Sequence, residues 1–451
     1  MNDNKRLTIS GWSVICFFAC LYPIMPGYFE IIGINASNIL VAISVFLLGC
    51  ISSWKLKNTS KVRFDLKIVF LLYIGYLLLS YLISGDYFEV FWSILFYIIL
   101  ASYIINYVRT PQEFIGILDI MIKTAGVVCV IGIVESATQF NVFELLNNSG
   151  AHIYYNALRF GLRRIVGFGY QTITYCVYCM FIMSVTLYRI TQLKYHSRKR
   201  TLYVAIYALL WINALLTLSR SAILGAIACQ SILLARCGWK KFISRMIIVL
   251  ALAWVGSSIY STVTNGTNLF LNMIRMLLAV FNENYTDSIS ASFGTDNLNA
   301  VGNRLSLYLW VANSMKDKWL LGWGRTAAFN YTYTYNNAWS TQLTKSSIEV
   351  EYLYTIYHFG ILGLITEVMV YFTFIRNGLV KKYNRLKHWE NKLSFNYTMG
   401  VTILVYCLVL FAVNRGAEAH TLYLLSMLFL AYNRSVMDEA ILDTLREEKQ
   451  K

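Results

Sequence analysis

Two arginines and two carboxylates could carry chemistry in this 451-residue chain. They are Arg304 in GNRLSLYLW, Arg325 closing LGWGR, and Glu349 and Glu351 in KSSIEVEYL. All four fall in one long polar interruption, residues 264–351, of a sequence otherwise made of apolar runs joined by short loops. A guanidinium stays charged at any working pH, and its planar fork matches phosphate oxygens bidentately. A carboxylate at a membrane boundary can hold its proton more tightly and act as a general base. Glu349 and Glu351 are two apart and do not share a helical face, so one can point into a cavity and the other elsewhere. The competing reading of the pair is a helix-start acid favoured by the helix dipole.

Arg220, in TLSRSA, stands where two apolar runs meet with no room for a solvated loop. An arginine there is costly unless it is paired or faces a polar cavity. The competing reading is a side chain snorkelling from a span end. Arg159, Arg163 and Arg164 lie in a shorter polar stretch, Thr138 to Gly169. Several guanidinium groups with few compensating acids suit a lipid pyrophosphate. Tyr308, Trp310, Trp319, Trp323, Tyr331, Tyr333, Tyr335 and Trp339 could stack on sugars, against the blander reading of an interface belt.

These residues must be positioned by membrane helices. The chain is 57% hydrophobic, 16% aromatic and only 14% charged, with a mean hydropathy of +0.53. That composition excludes an ordinary soluble domain. Windows of about 20 apolar residues occur about twelve times. The expectation is an all-α polytopic membrane protein, a single integral unit over 1–451, with the large loop at 264–351 and a tail at 434–451. Leu202 to Leu218 and Ser221 to Ala235 meet at TLSRSA. Phe242 to Thr262 is the ninth expected span and Tyr352 to Ile375 the tenth.

With both termini cytoplasmic, roughly 27 of the 39 Lys and Arg fall on the cytoplasmic side, as the positive-inside rule requires. The 264–351 loop is then on the opposite face. The net charge of +16 is accounted for by this orientation signal and by anionic headgroups, which argues against nucleic acid as a partner. The basic residues left on the outer face run against the rule: Arg159, Arg163, Arg164, Arg220, Arg275, Arg304, Lys316, Lys318, Arg325, Lys345 and Arg415. Something else must favour them. Lys5 and Arg6 precede an apolar run with Trp12, Pro23 and Pro26, read as a first span and not a cleaved leader. Nearly all of the nine cysteines fall within expected spans, so no disulfide framework is implied. No Walker loop, GxGxxG or HExxH occurs, which takes ATP-driven pumping, nucleotide cofactors and zinc proteolysis out of the leading readings.

TLSRSA at a tight turn, then GNRLSLYLW and WLLGWG, then an acidic element ending in Glu-Tyr-Leu with HFGILGL after it, together resemble the O-antigen polymerase and ligase superfamily. The resemblance covers Leu215 to Leu364. It implies a lipid-dependent glycosyltransferase of about a dozen spans in a bacterial inner membrane, acting at the periplasmic face without metal or other cofactor. The donor it implies is an undecaprenyl-pyrophosphate-linked glycan. A chain-length regulator and a flippase of the same pathway, with membrane lipids, would be its partners. Arg220 and Arg304 match arginines of the superfamily, Arg325 follows the LGxG turn, and Glu351 matches the acid of the polymerase element. Glu349 stands where polymerases often carry Asp. Ligases place a histidine before the re-entering span, whereas His358 comes seven residues after Glu351. The polymerase branch is therefore favoured, with catalytic Glu351 or Glu349 and with Arg220, Arg304, Arg325 and Arg164 binding substrate. The alternatives are an O-antigen ligase acting on a lipid A core and, from another class, a lipid-linked oligosaccharide flippase or permease.

Overall fold

The computed structural model describes residues 10–52, 62–150, 163–238, 254–255, 258, 300–335, 341–345, 348, 350–387, 389–416 and 418–434. The expected ninth span, the tail beyond residue 434 and Glu349 lie wholly or almost wholly outside them. So does the side chain of Arg304.

The described residues form α1 (Gly11–Leu21), α2 (Ala36–Ser52), α3 (Phe64–Ile83), α4 (Tyr87–Tyr107), α5 (Pro111–Thr138), α6 (Thr172–Gln192), α7 (Arg198–Leu216) and α8 (Arg220–Arg236). They continue with α9 (Ala300–Ser314), α10 (Glu351–Leu379), α11 (Phe395–Val409) and α12 (Glu418–Tyr432). Every expected span except the ninth coincides with one of these helices. Five of them, α3, α4, α5, α6 and α10, are long and apolar enough on their own to cross a membrane. The starts follow ordinary capping chemistry. On α5, Thr110 accepts the Glu113 N–H at 3.2 Å and Glu113 accepts the Thr110 N–H at 2.9 Å, a reciprocal box that satisfies two orphan donors.

α6 is the axis of the fold. Up to its last turn, where Arg189 and Gln192 stand, its sequence is apolar or uncharged on every face, the pattern of a helix surrounded by protein, and Thr174 to Ile190 is buried without a break. Its hydroxyls turn inward on the helix itself, Ser184 to the Met180 carbonyl at 3.0 Å and Thr186 to Ile182 at 2.7 Å. Helices α5, α7, α8, α11 and α12 pack around it. At its far end Arg189 meets Asp119 of α5 at 2.8 Å, and Asp119 also takes Lys199 of α7 at 2.5 Å. On the periphery α3 exposes Leu71, Leu72 and Leu79, and α5 exposes Val127 and Val130. Such outward apolar faces are what a helix in lipid presents.

Two elements inside the polar interruption were not anticipated. α9 carries GNRLSLYLW, and an antiparallel hairpin pairs β1 (Tyr331–Tyr335) with β2 (Thr341–Lys345). The alternation YTYTY is a strand signal. α9 and the hairpin share a small core of their own, in which Leu307, Val311 and Met315 meet Phe329, Val350 and Tyr357. This second core rests on the first turns of α10.

Candidate functional site

Helix α10 is broken. Gly360 has φ +66°, which interrupts the helix nine residues after its start. Broken backbone at membrane depth must be satisfied by protein groups, and the segment WLLGWG supplies them. The Trp323 N–H donates to the Tyr357 carbonyl at 2.8 Å, the Gly324 N–H to His358 at 3.0 Å, and the Ile361 N–H to Trp319 at 2.8 Å. The Tyr76 hydroxyl of α3 donates to the Phe359 carbonyl. Gly322 is also left-handed, at φ +77°. Thus two sequence motifs, WLLGWG and HFGILGL, are the two halves of one backbone interlock. Its product is the placement of Arg325 immediately after the loop, beside the N-terminal half of α10.

The second device is the turn between α11 and α12. The Glu351 N–H donates to the Val413 carbonyl at 3.0 Å, and Asn414 Nδ2 to the Ile348 carbonyl at 3.0 Å. This docks the turn on the start of α10 and brings in Arg415. The Arg415 N–H donates to Glu351 Oε2 at 2.8 Å, and its guanidinium lies 3.1 Å from Glu351 Oε1 and pairs with Glu367. Glu367 is further occupied by the hydroxyls of Thr355, at 2.8 Å, and Tyr371, at 2.7 Å. Glu351 therefore keeps more unused acceptor capacity than Glu367.

These groups line one cavity of about 290 Å³ between α3, α4, α10 and α12. Its walls carry Arg325, Arg415, Glu351 and Glu367, and six tyrosines: Tyr73, Tyr76, Tyr81, Tyr97, Tyr354 and Tyr423. Tyr97 comes from a π-helical stretch of α4, Ile94–Leu100, a feature frequent at functional sites. Arg325 pairs with Glu89 at 2.5 Å, lies 3.7 Å from Asp86, and rests over the Tyr81 ring. Burial works against its charge, but Tyr81 and Glu89 more than offset this, so its proton is held more tightly than in an ordinary arginine. For Arg415 burial is likewise opposed, chiefly by Glu351, and the shift is larger in the same direction. An apolar cleft of about 70 Å³ shares the wall at Tyr73, Tyr97, Glu367 and Arg415, and continues past Phe70, Phe374 and Met427.

Of the expected site residues, Glu351 and Arg325 are brought together here. Arg220 does not line the cavity. It is the first residue of α8, half-buried, and no described residue pairs with it. The turn before it is strained, since Leu218 is left-handed at φ +50°, a conformation that costs an L-residue about 1–2 kcal/mol. Arg164 is 4% exposed and its Nε donates to the Thr217 carbonyl at 2.8 Å, so it braces this turn. Glu135 of α5 holds the Arg164 loop from below, accepting the N–H groups of Val166 and Gly167, each at 3.0 Å. Trp319 and Trp323 are exposed on the interlock. His358 Nδ1–H donates to the Gly324 carbonyl, 2.8 Å away, and the ring packs on Tyr354. It serves the interlock and does not line the cavity.

The cation that sequence reasoning missed is Arg415. Its only sequence signal is a basic residue in a short turn on the face where basic residues are unexpected. Both of its partners come from α10, far back in the chain.

Residues 205–366 match the family described as O-antigen ligase. Family members are glycosyltransferase-like enzymes acting on lipid-linked glycans. The match includes the TLSRSA turn, the interlock and the Glu351 end of the cavity, while Arg415 and Glu367 lie beyond it. No curated protein matches the chain.

Proposed function

We propose, from the match of residues 205–366 to the O-antigen ligase family, that this chain polymerises undecaprenyl-pyrophosphate-linked oligosaccharide repeats. The observation that carries this reading is the cavity in which Glu351 and Arg415 face a ring of tyrosines, walled in part by the family-matching segment. A hydroxyl of the incoming repeat lies against Glu351, which accepts its proton as the oxygen attacks the anomeric carbon of the donor chain. The bond from that carbon to phosphate breaks, and undecaprenyl pyrophosphate leaves with the electron pair. Because Arg415 fixes both oxygens of Glu351, the carboxylate acts through orientation more than through basicity, and pyrophosphate is already a good leaving group.

The donor pyrophosphate lies outside this cavity, at Arg220, with Arg304 of α9 as its second guanidinium. Arg220 is a half-buried cation with no partner among the described residues, and the strained turn before it is the kind of outlier that accompanies function. Arg164 and Glu135 support the turn from behind. The apolar cleft beside Arg415 suits a stretch of polyprenol. Polymerase is preferred to ligase because His358, the histidine nearest the re-entry point, is engaged by the Gly324 carbonyl. It is also preferred to a flippase because the acids and arginines of this site gather around one cavity and not along a path through the spans.

Replacing Arg220 or Arg304 by lysine keeps the charge and removes the fork. In producing cells each variant is expected to shorten the polymer or abolish it, by gel analysis of the glycan. Normal chain length in both would rule out the clamp. A null strain separates the two enzyme readings, since loss of a polymerase leaves single repeats and loss of a ligase leaves polymer on the carrier lipid.

A further inference from the structure

The cavity is rich in charge, and each positive charge is already compensated within the protein. Both of its guanidinium groups are already taken, each by two carboxylates: Arg325 by Glu89 and Asp86, Arg415 by Glu351 and Glu367. Glu351 and Glu367 line the cavity with the two arginines, and Glu89 and Asp86 reach Arg325 from outside the lining, so the two positive groups are surrounded by four carboxylates and the site is formally negative. An incoming phosphate or uronate would have to displace a carboxylate from a short ion pair, leaving that carboxylate partly buried without its cation. Meanwhile six tyrosines present aromatic faces and hydroxyls. Apolar ring faces with a few placed polar groups are the usual lining of a small-molecule pocket, and about 290 Å³ is near the low end of the usual size range.

Resting on the glycan-joining reading above, we infer that this cavity is the acceptor-sugar site and that it selects an uncharged sugar ring over an acidic or phosphorylated one. Glu89 and Asp86 are the residues that set this preference. They lie at the start of α4, outside the family-matching segment, and their pairing with Arg325 Nη1 compensates the charge and occupies one arm of the fork that would otherwise read a sugar carboxylate. The excess of carboxylates around the two arginines also keeps the donor pyrophosphate from entering the acceptor position, so donor and acceptor are sorted by charge. Tyr76 gives its hydroxyl to the Phe359 carbonyl and is left offering its ring. Glu351 is the acid placed to meet a sugar hydroxyl, because Glu367 is filled by Thr355, Tyr371 and Arg415.

The test is saturation-transfer NMR on the full chain in detergent with three probes: methyl glucoside, methyl glucuronide and inorganic pyrophosphate. Methyl glucoside is expected to show transfer that falls at least fivefold in Thr366→Trp, which fills the cavity. Pyrophosphate leaves that signal unchanged. Methyl glucuronide is expected at background in the wild type and about tenfold higher in the Asp86→Asn, Glu89→Gln double variant, whose asparagine side chain can still cap α4. Glucuronide transfer equal to that of the glucoside in the wild type would overturn the inference. So would displacement of the glucoside by pyrophosphate, a glucoside signal that survives Thr366→Trp, or no transfer to any sugar. The two proposals fail separately. Normal polymer in the Arg220 and Arg304 variants with this binding pattern intact sinks the transferase reading alone, and glucuronide preference with shortened polymer sinks this inference alone.

Discussion

Arg415→Gln is expected to lower polymer formation by a hundredfold or more, the largest single effect at the site. The substitution leaves Glu351 and Glu367, 4% exposed each, without the cation that lies between them. Removing one partner of a buried ion pair costs about 3–5 kcal/mol, and losing one positioned electrostatic group costs roughly 10²–10³ in rate. Part of that loss is structural, so the companion variants matter. Arg415→Lys keeps the charge but not the bond geometry and is expected to recover only a minor share of the activity. Glu351→Gln, which removes the acid and leaves Glu367 to pair with Arg415, is expected to match Arg415→Gln in rate with a smaller fall in Tm. Initial rates and Tm of the purified variants check this together. Equal activity of Arg415→Gln and the wild type would remove the cavity from the mechanism.

The second large effect belongs to the interlock. A Cβ on Gly360 would run into the Leu320 carbonyl, and one on Gly322 would meet the His358 carbonyl at 2.5 Å. Both residues are also left-handed, at φ +66° and φ +77°, so alanine adds backbone strain of about 1 kcal/mol or more to the clash. Gly360→Ala and Gly322→Ala are each expected to lower Tm by several degrees and to remove most activity, because the loop that delivers Arg325 no longer seats against α10. Gly85→Ala is the control. Gly85 has φ +72° but nothing within 4 Å of a built Cβ, so it carries the strain without the clash and is expected to keep most of its activity. If Gly85→Ala and Gly360→Ala lose activity alike, strain alone accounts for the effect and the interlock has no role in positioning Arg325.

The helical architecture was legible because a membrane imposes length and hydropathy on each span, and α3, α5, α6 and α10 repeat that pattern without ambiguity. The motifs TLSRSA, WLLGWG and HFGILGL were legible as marks in the chain, but not as partners. That WLLGWG satisfies the broken backbone after His358 depends on hydrogen bonds between main-chain groups, which leave no trace in residue type beyond the glycines. Glu351 was readable from its position at the start of α10. Arg415 was not, since its partners lie 64 and 48 positions away and an isolated arginine in a short turn looks like a solvated one. Charge alone makes Arg164 a candidate substrate ligand, whereas its place in the fold is under the Arg220 turn, with Nε on the Thr217 carbonyl. The hairpin of β1 and β2 is hidden by its tyrosines, which serve equally well as sugar platforms one by one and become a strand signal only through their alternation.

The most direct measurement of the central claim is a single reaction: the purified chain in detergent with an undecaprenyl-pyrophosphate-linked repeat as the only substrate, resolved on a gel. The account predicts a ladder of lengthening glycans from the wild type and the unextended repeat from Arg415→Gln. Wild-type protein that leaves a competent repeat unextended, or a ladder of the same intensity from Arg415→Gln, would contradict it.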